Sequence, residues 1–195
     1  MTLIQNYNHY KIRFADFNLN ESQFDRPSNL HGIMHTYRVM THVLRLGLLT
    51  GYISEARLAF FAAYIHDMSR KHDGYCTSHG TEAANHKLPL YKDLFIRNGA
   101  TEPDLIIIGK ACTMHSLGKE LPPDDFQRIP VAILKDADAL DRIRLGADDL
   151  DPSFLRFDES HNCIVFGQQL YFQSINLKSD KFENMLRLSS QILNL

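Results

Sequence analysis

The chain has 195 residues, of which 44% are hydrophobic and 23% charged, and its formal net charge is −2 with neutral histidines. This length and balance are typical of one globular domain with a substantial core. The small net charge, with basic residues spread along the chain, excludes a general binder of nucleic-acid polymers.

The cysteines and the N-terminus predict the compartment. Cys76, Cys112 and Cys163 are odd in number and far apart, so neither a disulfide framework nor a CxxC zinc site is indicated. Free thiols are typical of a reducing compartment. The N-terminal residues contain no apolar signal segment, and no stretch reaches the ~18 apolar residues of a membrane span. We therefore expect a cytoplasmic protein with no membrane partner.

The first predicted helix carries a histidine-rich face. Residues 1–20 are aromatic-rich and could form a short helix, and residues 21–29 are turn-like. Residues 30–50 repeat apolar side chains at helical spacing, and we expect this helix to end near Gly51. One of its faces carries four polar side chains at the spacings i, i+4, i+7 and i+11, namely His31, His35, Arg38 and His42.

The second predicted helix is apolar almost all round. Residues 54–67 read SEARLAFFAAYIHD, which indicates a central, buried helix with Ser54 as a candidate N-cap. It ends in the adjacent pair His66 and Asp67. A loop follows, and Gly74 predicts a turn within it.

Two further helices bring two more histidines. Residues 79–99 are expected to be helical and to be kinked or broken by Pro89. Residues 102–115 place Pro103 in a first turn and end at His115.

The C-terminal half completes an all-α fold. A proline-rich loop leads to an apolar helix predicted over residues 131–150, and residues 178–193 form an amphipathic closing helix. Residues 163–166, CIVF, fit either a short strand or one helical turn. No alternating pattern is long enough for a sheet, so we predict a bundle of at least five core helices with an extra C-terminal helix.

Histidines and aspartates on several helices point to a metal site. Helical proteins build such sites from side chains on facing helices. Histidine with carboxylate suits manganese, iron, zinc, nickel or cobalt, whereas carboxylate and water alone suit magnesium. An aspartate in an apolar helix also needs a cation nearby. Helical periodicity does not decide between Asp136 and Asp138, because either could point inward.

Three motifs resemble the HD superfamily of metal-dependent phosphohydrolases. HGIMHTYRV, AAYIHDMSR and VAILKDADALDRIR resemble, in this order, its first ligand helix, its namesake motif and its last metal helix. The match covers roughly residues 30–148. The resemblance implies a single HD-type domain over residues 1–195, with the metal-binding core at 30–148 and a C-terminal extension at 149–195. The metal ligands that it implies are His35, His66, Asp67 and Asp138, with Asp136 as the alternative to Asp138 or as a partner of Lys135 or a ligating histidine.

The resemblance also implies one or two ions. Members with two metals use extra histidines between the namesake pair and the last aspartate, and His79 and His115 hold these places. Asp67 would then bridge the two ions and, with His115, is a candidate catalytic residue. The candidates for binding the substrate are Arg38, Arg70, Lys71, Arg142 and His31.

The function implied by the resemblance is hydrolysis of a phosphate monoester or diester. The substrate would be a small phosphorylated molecule, with nucleotides as the leading class, and magnesium joins the transition metals as a candidate cofactor. Two alternatives stay open: a non-catalytic HD-like module that binds a nucleotide or a partner and, more remotely, a di-iron oxygenase. The oligomeric state is also open, a homo-oligomer included.

Overall fold

The computed structural model describes residues 7–146, 148–177 and 181–194. Within these residues the regular structure is entirely helical, which confirms the all-α prediction. The α-helices, in chain order, are α1 (Ile33–Thr50), α2 (Ile53–Ile65), α3 (His79–His86), α4 (Leu88–Arg97), α5 (Glu102–His115), α6 (Arg128–Leu140), α7 (Asp158–His161), α8 (Ile164–Ser174) and α9 (Phe182–Ile192).

Helix α2 is the centre of the bundle. It packs against α1, α5 and α6. All of its side chains from Leu58 to Ile65 are buried, as predicted from a sequence that is apolar on every face of the helix. Around this core, α3 packs on α5, while α8 and α9 pack on each other and on α1. No helix in the described residues is long and apolar enough to span a membrane.

Helix ends follow from local signals in most cases. Helix α1 ends at Gly51, whose φ of 78° is left-handed and suits glycine. Helix α5 begins with a capping box formed by Thr101 and Asp104. The helix expected over residues 79–99 is interrupted at Lys87, between α3 and α4. Pro89 lies in the first turn of α4, where its nitrogen does not need to donate a hydrogen bond.

Four expectations about local structure are corrected or completed. Ser54 lies inside the first turn of α2 rather than at its N-cap, because the helix begins at Ile53. The α-helix expected over residues 131–150 ends at Leu140, and a separate 3₁₀ turn follows over Arg142–Arg144. The CIVF segment is not a strand, since α8 begins within it. The closing helix is present as α9, and residues 178–180 of the expected segment lie outside the described residues.

Residues 7–20 form short 3₁₀ turns rather than one helix, and residues 1–6 of the expected segment lie outside the described residues. The turns at Tyr7–Tyr10 and Phe14–Phe17 bury their aromatic side chains. The ring of Phe14 lies 5.9 Å from that of Phe60 on α2 and 5.9 Å from that of Phe182 on α9. These edge contacts join the N-terminal segment to the central helix and to the closing helix.

A glycine brings two histidine-bearing helices close together. A Cβ atom on Gly80 would lie only 2.3 Å from the backbone oxygen of Cys112, so only glycine permits this approach of α3 to α5. His79 precedes this glycine, and His115 ends the facing helix.

Candidate metal centre

Six side chains converge where α2 and α5 end and α1 and α3 begin. They are the six candidate ligands selected from the sequence: His35 on α1, His66 and Asp67 directly after α2, His79 at the start of α3, His115 at the end of α5 and Asp138 in the last turn of α6. They form two groups of donor atoms that share the carboxylate of Asp67.

The first group surrounds the Nε2 atom of His35. This atom lies 3.1 Å from His66 Nε2, 3.4 Å from Asp67 Oδ2 and 3.3 Å from Asp138 Oδ1. Both imidazoles are completely buried. One donor atom each from His35, His66 and Asp138 lie within 4.8 Å of one another, which is close enough for them to bind a single metal ion.

The second group surrounds the other oxygen of Asp67. Asp67 Oδ1 lies 3.0 Å from His79 Nε2 and 3.7 Å from His115 Nε2, and the two imidazole nitrogens are 3.0 Å apart. Each oxygen of Asp67 therefore belongs to a different group of donors.

The Nδ1 protons of two imidazoles, those of His66 and His115, leave the lone pair of each Nε2 directed at neighbouring donor atoms. His66 Nδ1 lies 2.7 Å and His115 Nδ1 lies 2.5 Å from a backbone carbonyl oxygen, which can only accept, so each Nδ1 carries the proton. Burial lowers the pKa of His66 to about 3, and this ring is neutral with a free lone pair on Nε2. Lone pairs and carboxylate oxygens that face each other repel unless a proton or a metal ion lies between them.

The spacing of the donors fits a divalent ion. Metal–ligand bonds of about 2.1 Å place neighbouring ligand atoms at about 3.0 Å for right-angle coordination and at about 3.4 Å for tetrahedral coordination. The distances in both groups, from 3.0 to 3.7 Å, lie close to these values. The residues present therefore fit one ion in each group.

The charge balance also calls for a cation. Burial and a nearby arginine lower the pKa of His35, but its three carboxylate partners outweigh them and raise it to about 9. Burial opposes the ionisation of Asp67 and Asp138, yet neighbouring imidazoles hold the pKa of both carboxyls well below the usual range. In the metal-free protein, a proton on His35 supplies part of the positive charge that an ion would bring.

Asp141 orients the first ligand and is a residue that the sequence reasoning did not select. His35 Nδ1 donates to Asp141 Oδ2 at 2.7 Å, which leaves Nε2 to face the donor group. Such carboxylate–histidine pairs fix the ring and make it a stronger metal ligand. The signal that could have found Asp141 is its position three residues after Asp138, on the same face of an apolar helix.

Arg38 acts on this carboxylate instead of on substrate. Its guanidinium donates to Asp141 at 2.5 and 3.0 Å and lies over the ring of Tyr171. The side chain is buried and does not line the cavity at the candidate ligands. The expectation that Arg38 binds substrate is therefore corrected, because a buried ion pair already uses its donors.

Two other expectations are corrected by position. Asp136 neither approaches the donor groups nor pairs with Lys135; it accepts hydrogen bonds from the side chains of Arg156 at 2.8 Å and Ser160 at 2.7 Å. Lys71 is exposed and does not line the cavity that contains Asp67 and Asp138.

A cavity of about 320 Å³ opens over the donor groups and has a basic wall. Arg70 donates through Nε to Asp67 Oδ1 at 3.0 Å, and Arg142 pairs with Asp149 at 2.6 Å on the rim. Arg144, which the sequence reasoning also missed, lies 3.7 Å from Asp138 Oδ1. His31 is buried in the wall, with Nδ1 2.9 Å from Asp67 Oδ2.

Comparison of the chain with protein-family models, with curated proteins and with solved structures found no match. The interpretation of the site therefore depends on its own geometry and on the resemblance of its three motifs.

Proposed function

We propose that this chain is a metal-dependent phosphohydrolase of the HD type that acts on a small phosphorylated molecule, with nucleotides as the leading class. One observation carries the proposal. Histidine donors lie around each oxygen of Asp67, and the cavity above them is lined by three arginines: Arg70, Arg142 and Arg144.

Each donor group would hold one divalent ion. His35, His66, Asp67 and Asp138 would bind the first, and Asp67, His79 and His115 the second. The mixed histidine and carboxylate donors favour manganese, iron, zinc, nickel or cobalt, with magnesium as a further candidate. Such ions, when bound, polarise a phosphoryl oxygen and lower the pKa of a coordinated water.

The side chains of the cavity would hold the phosphate. Arg142 is the most accessible of the three arginines, with 44% of its side chain exposed. Its ion pair with Asp149 lies on the rim of the cavity, and a phosphate group can replace Asp149 as the partner of the guanidinium. Arg144 is fixed by donating to the backbone oxygen of Leu30 at 2.9 Å and supplies a stationary positive charge.

Two histidines take roles narrower than the sequence suggested. His115 has its Nδ1 proton committed to a backbone oxygen, and we assign it to the second ion rather than to proton transfer. His31 directs Nδ1 towards Asp67 Oδ2, and we assign it the task of holding this shared carboxylate in place.

The test is phosphate release from a panel of phosphate monoesters and diesters, nucleotides included, after loading with manganese, cobalt, nickel, iron, zinc or magnesium. We expect turnover with at least one metal, and we expect Asp67→Ala to lose both bound metal and activity while the far-ultraviolet spectrum stays helical. Asp93→Asn, which changes an exposed carboxylate on α4, is the matched control and should keep both.

Two other outcomes would replace the proposal. Bound metal and tight nucleotide binding without any turnover would favour a non-catalytic binding module. Two bound irons with an oxygen-dependent product would favour a di-iron oxygenase. Full metal occupancy in Asp67→Ala would refute the assignment of the shared ligand.

A further inference from the structure

A second cavity adjoins the one over the donor groups. It has a volume of about 480 Å³, within the usual range for small-molecule sites. Much of its wall comes from residues 149–156, which lie beyond the segment that resembles the HD superfamily. The two cavities share four lining residues, namely Tyr75, His115, Asp138 and Arg142, so a molecule in the second cavity reaches the candidate metal centre.

Two large aromatic side chains in this wall face solvent. Tyr75 is 92% exposed and Phe154 is 69% exposed. They belong to different parts of the chain, the loop after α2 and a short turn after α6, yet both line the same cavity. Aromatic side chains that line a concave surface are typical of small-molecule sites, because a ligand that covers them removes them from water.

Phe154 is exposed but its backbone is held firmly. Asp151 caps the turn by accepting from the backbone nitrogen of Ser153 at 2.9 Å. The backbone oxygen of Phe154 accepts from Arg156 Nη1 at 2.9 Å, and the same nitrogen donates to Asp136 Oδ1 at 2.8 Å. Because the backbone that carries Phe154 is already ordered, binding to its ring does not require the turn itself to become ordered.

The loop that carries Tyr75 is tied to the metal centre. Arg70 donates through Nη1 to the backbone oxygen of Gly74 at 3.2 Å and through Nε to Asp67 Oδ1 at 3.0 Å. One side chain therefore sets the loop next to Tyr75 against the carboxylate that the two donor groups share.

We infer that this second cavity is a subsite for a planar ring, and that Phe154 and Tyr75 select phosphate esters whose organic part carries such a ring, as a nucleobase does. The inference rests on the proposed function and adds to it the residues that determine specificity. The phosphate would lie at Arg142, which lines both cavities, and the ring would stack on the aromatic side chains.

The experiment compares two substrates that differ only in the ring. Adenosine 5′-monophosphate and ribose 5-phosphate carry the same sugar and phosphate, and kcat/KM is measured for both with the manganese-loaded chain. We expect the wild type to prefer the nucleotide. Stacking of a base on an aromatic side chain is lost in Phe154→Ala, so this preference should fall by at least about fivefold. Tyr75→Ala should act in the same direction.

Phe126→Ala is the matched control, because Phe126 is also exposed but lines neither cavity, and it should leave the preference unchanged. Equal losses on both substrates in Phe154→Ala, or no loss on either, would overturn the subsite.

Failure of the proposed function is recognised separately. If no phosphate is released from any ester, calorimetry measures the binding of the same two ligands to the manganese-loaded chain. Weaker binding of the nucleotide relative to ribose 5-phosphate in Phe154→Ala then supports the ring subsite, and an unchanged ratio of affinities contradicts it.

Discussion

The variant Asp141→Asn tests whether the buried carboxylate behind His35 tunes the metal centre. Asparagine keeps the shape of the side chain and an oxygen that can accept from His35 Nδ1, but it removes the negative charge. Asp141 is completely buried and pairs with the guanidinium of Arg38, which is only 3% exposed. The substitution therefore leaves a buried cation without its counter-charge.

Two effects of different size are expected from Asp141→Asn. Breaking one side of a buried ion pair costs ~3–5 kcal/mol, so the metal-free protein should lose about this much free energy of unfolding. Loss of an orienting carboxylate lowers metal affinity by roughly 10- to 100-fold. Denaturant unfolding in the presence of a chelator measures the first, and competition with a chromophoric chelator measures the second.

A double variant separates the two effects. In Asp141→Asn with Arg38→Met, the uncompensated cation is gone, while the methionine still packs over Tyr171. We expect stability to recover in part and metal affinity to stay low, because His35 still faces a neutral amide. Asp25→Asn is the control: it breaks a pair with Lys87 in which the carboxylate is exposed, and it should cost about 1 kcal/mol with no change in metal affinity.

Metal binding by Asp141→Asn as tight as that of the wild type would show that the carboxylate does not tune the site. Recovery of affinity together with stability in the double variant would show that the loss of affinity came from a weakened fold.

Three further predictions concern the histidines. His115→Ala should reduce the ions per chain from two to one in elemental analysis, because the first donor group stays complete; retention of both ions would contradict the second group. In a chelator titration, the ion held by His79 and His115 should be released before the ion held by His35 and His66. His79 Nδ1 is buried without a hydrogen-bond partner in the described residues, whereas hydrogen bonds from Nδ1 hold the rings of His35 and His66 in place. The opposite order of release would contradict this prediction. Burial lowers the pKa of His42 to about 4, below its ordinary ~6.5 in the unfolded chain. The contribution of His42 to stability should therefore be constant above pH ~6.5 and fall by about 3 kcal/mol as the pH decreases towards 4. Chemical unfolding of metal-free His42→Leu should show a shallower decline, and an identical decline in both proteins would refute the role of His42.

The sequence predicted the helices that carry the ligands because their signals are local. The all-round apolar pattern of α2 indicates a helix buried on every side, and His66 and Asp67 follow directly at its end. The break at Pro89 and the start of α5 at Pro103 also depend only on neighbouring residues. Resemblance to a known superfamily then selected Asp138 over Asp136, a choice that periodicity left open.

What the sequence could not predict depends on segments that meet only in the fold. Asp136 is neutralised by Arg156, twenty residues later, and no helical pattern links the two. Arg38 looked like a phosphate ligand on the histidine-rich face, but its partner Asp141 comes from the end of another helix. The second cavity is likewise lined by two segments that are distant in sequence, the loop at Tyr75 and the turn at Phe154.

In the proposed two-ion centre, the contact at Gly80 would make the number of bound ions depend on the distance between two backbones. A methyl group at this position would have to move α3 away from α5 by about 1 Å to reach an ordinary contact with the Cys112 oxygen. That shift would draw His79 away from His115 and leave the first donor group, held by α1, α2 and α6, untouched. A single methyl group could thus convert a two-ion centre into a one-ion centre without changing any ligand. Helix spacing, as well as ligand identity, is therefore a route by which related chains can gain or lose the second ion.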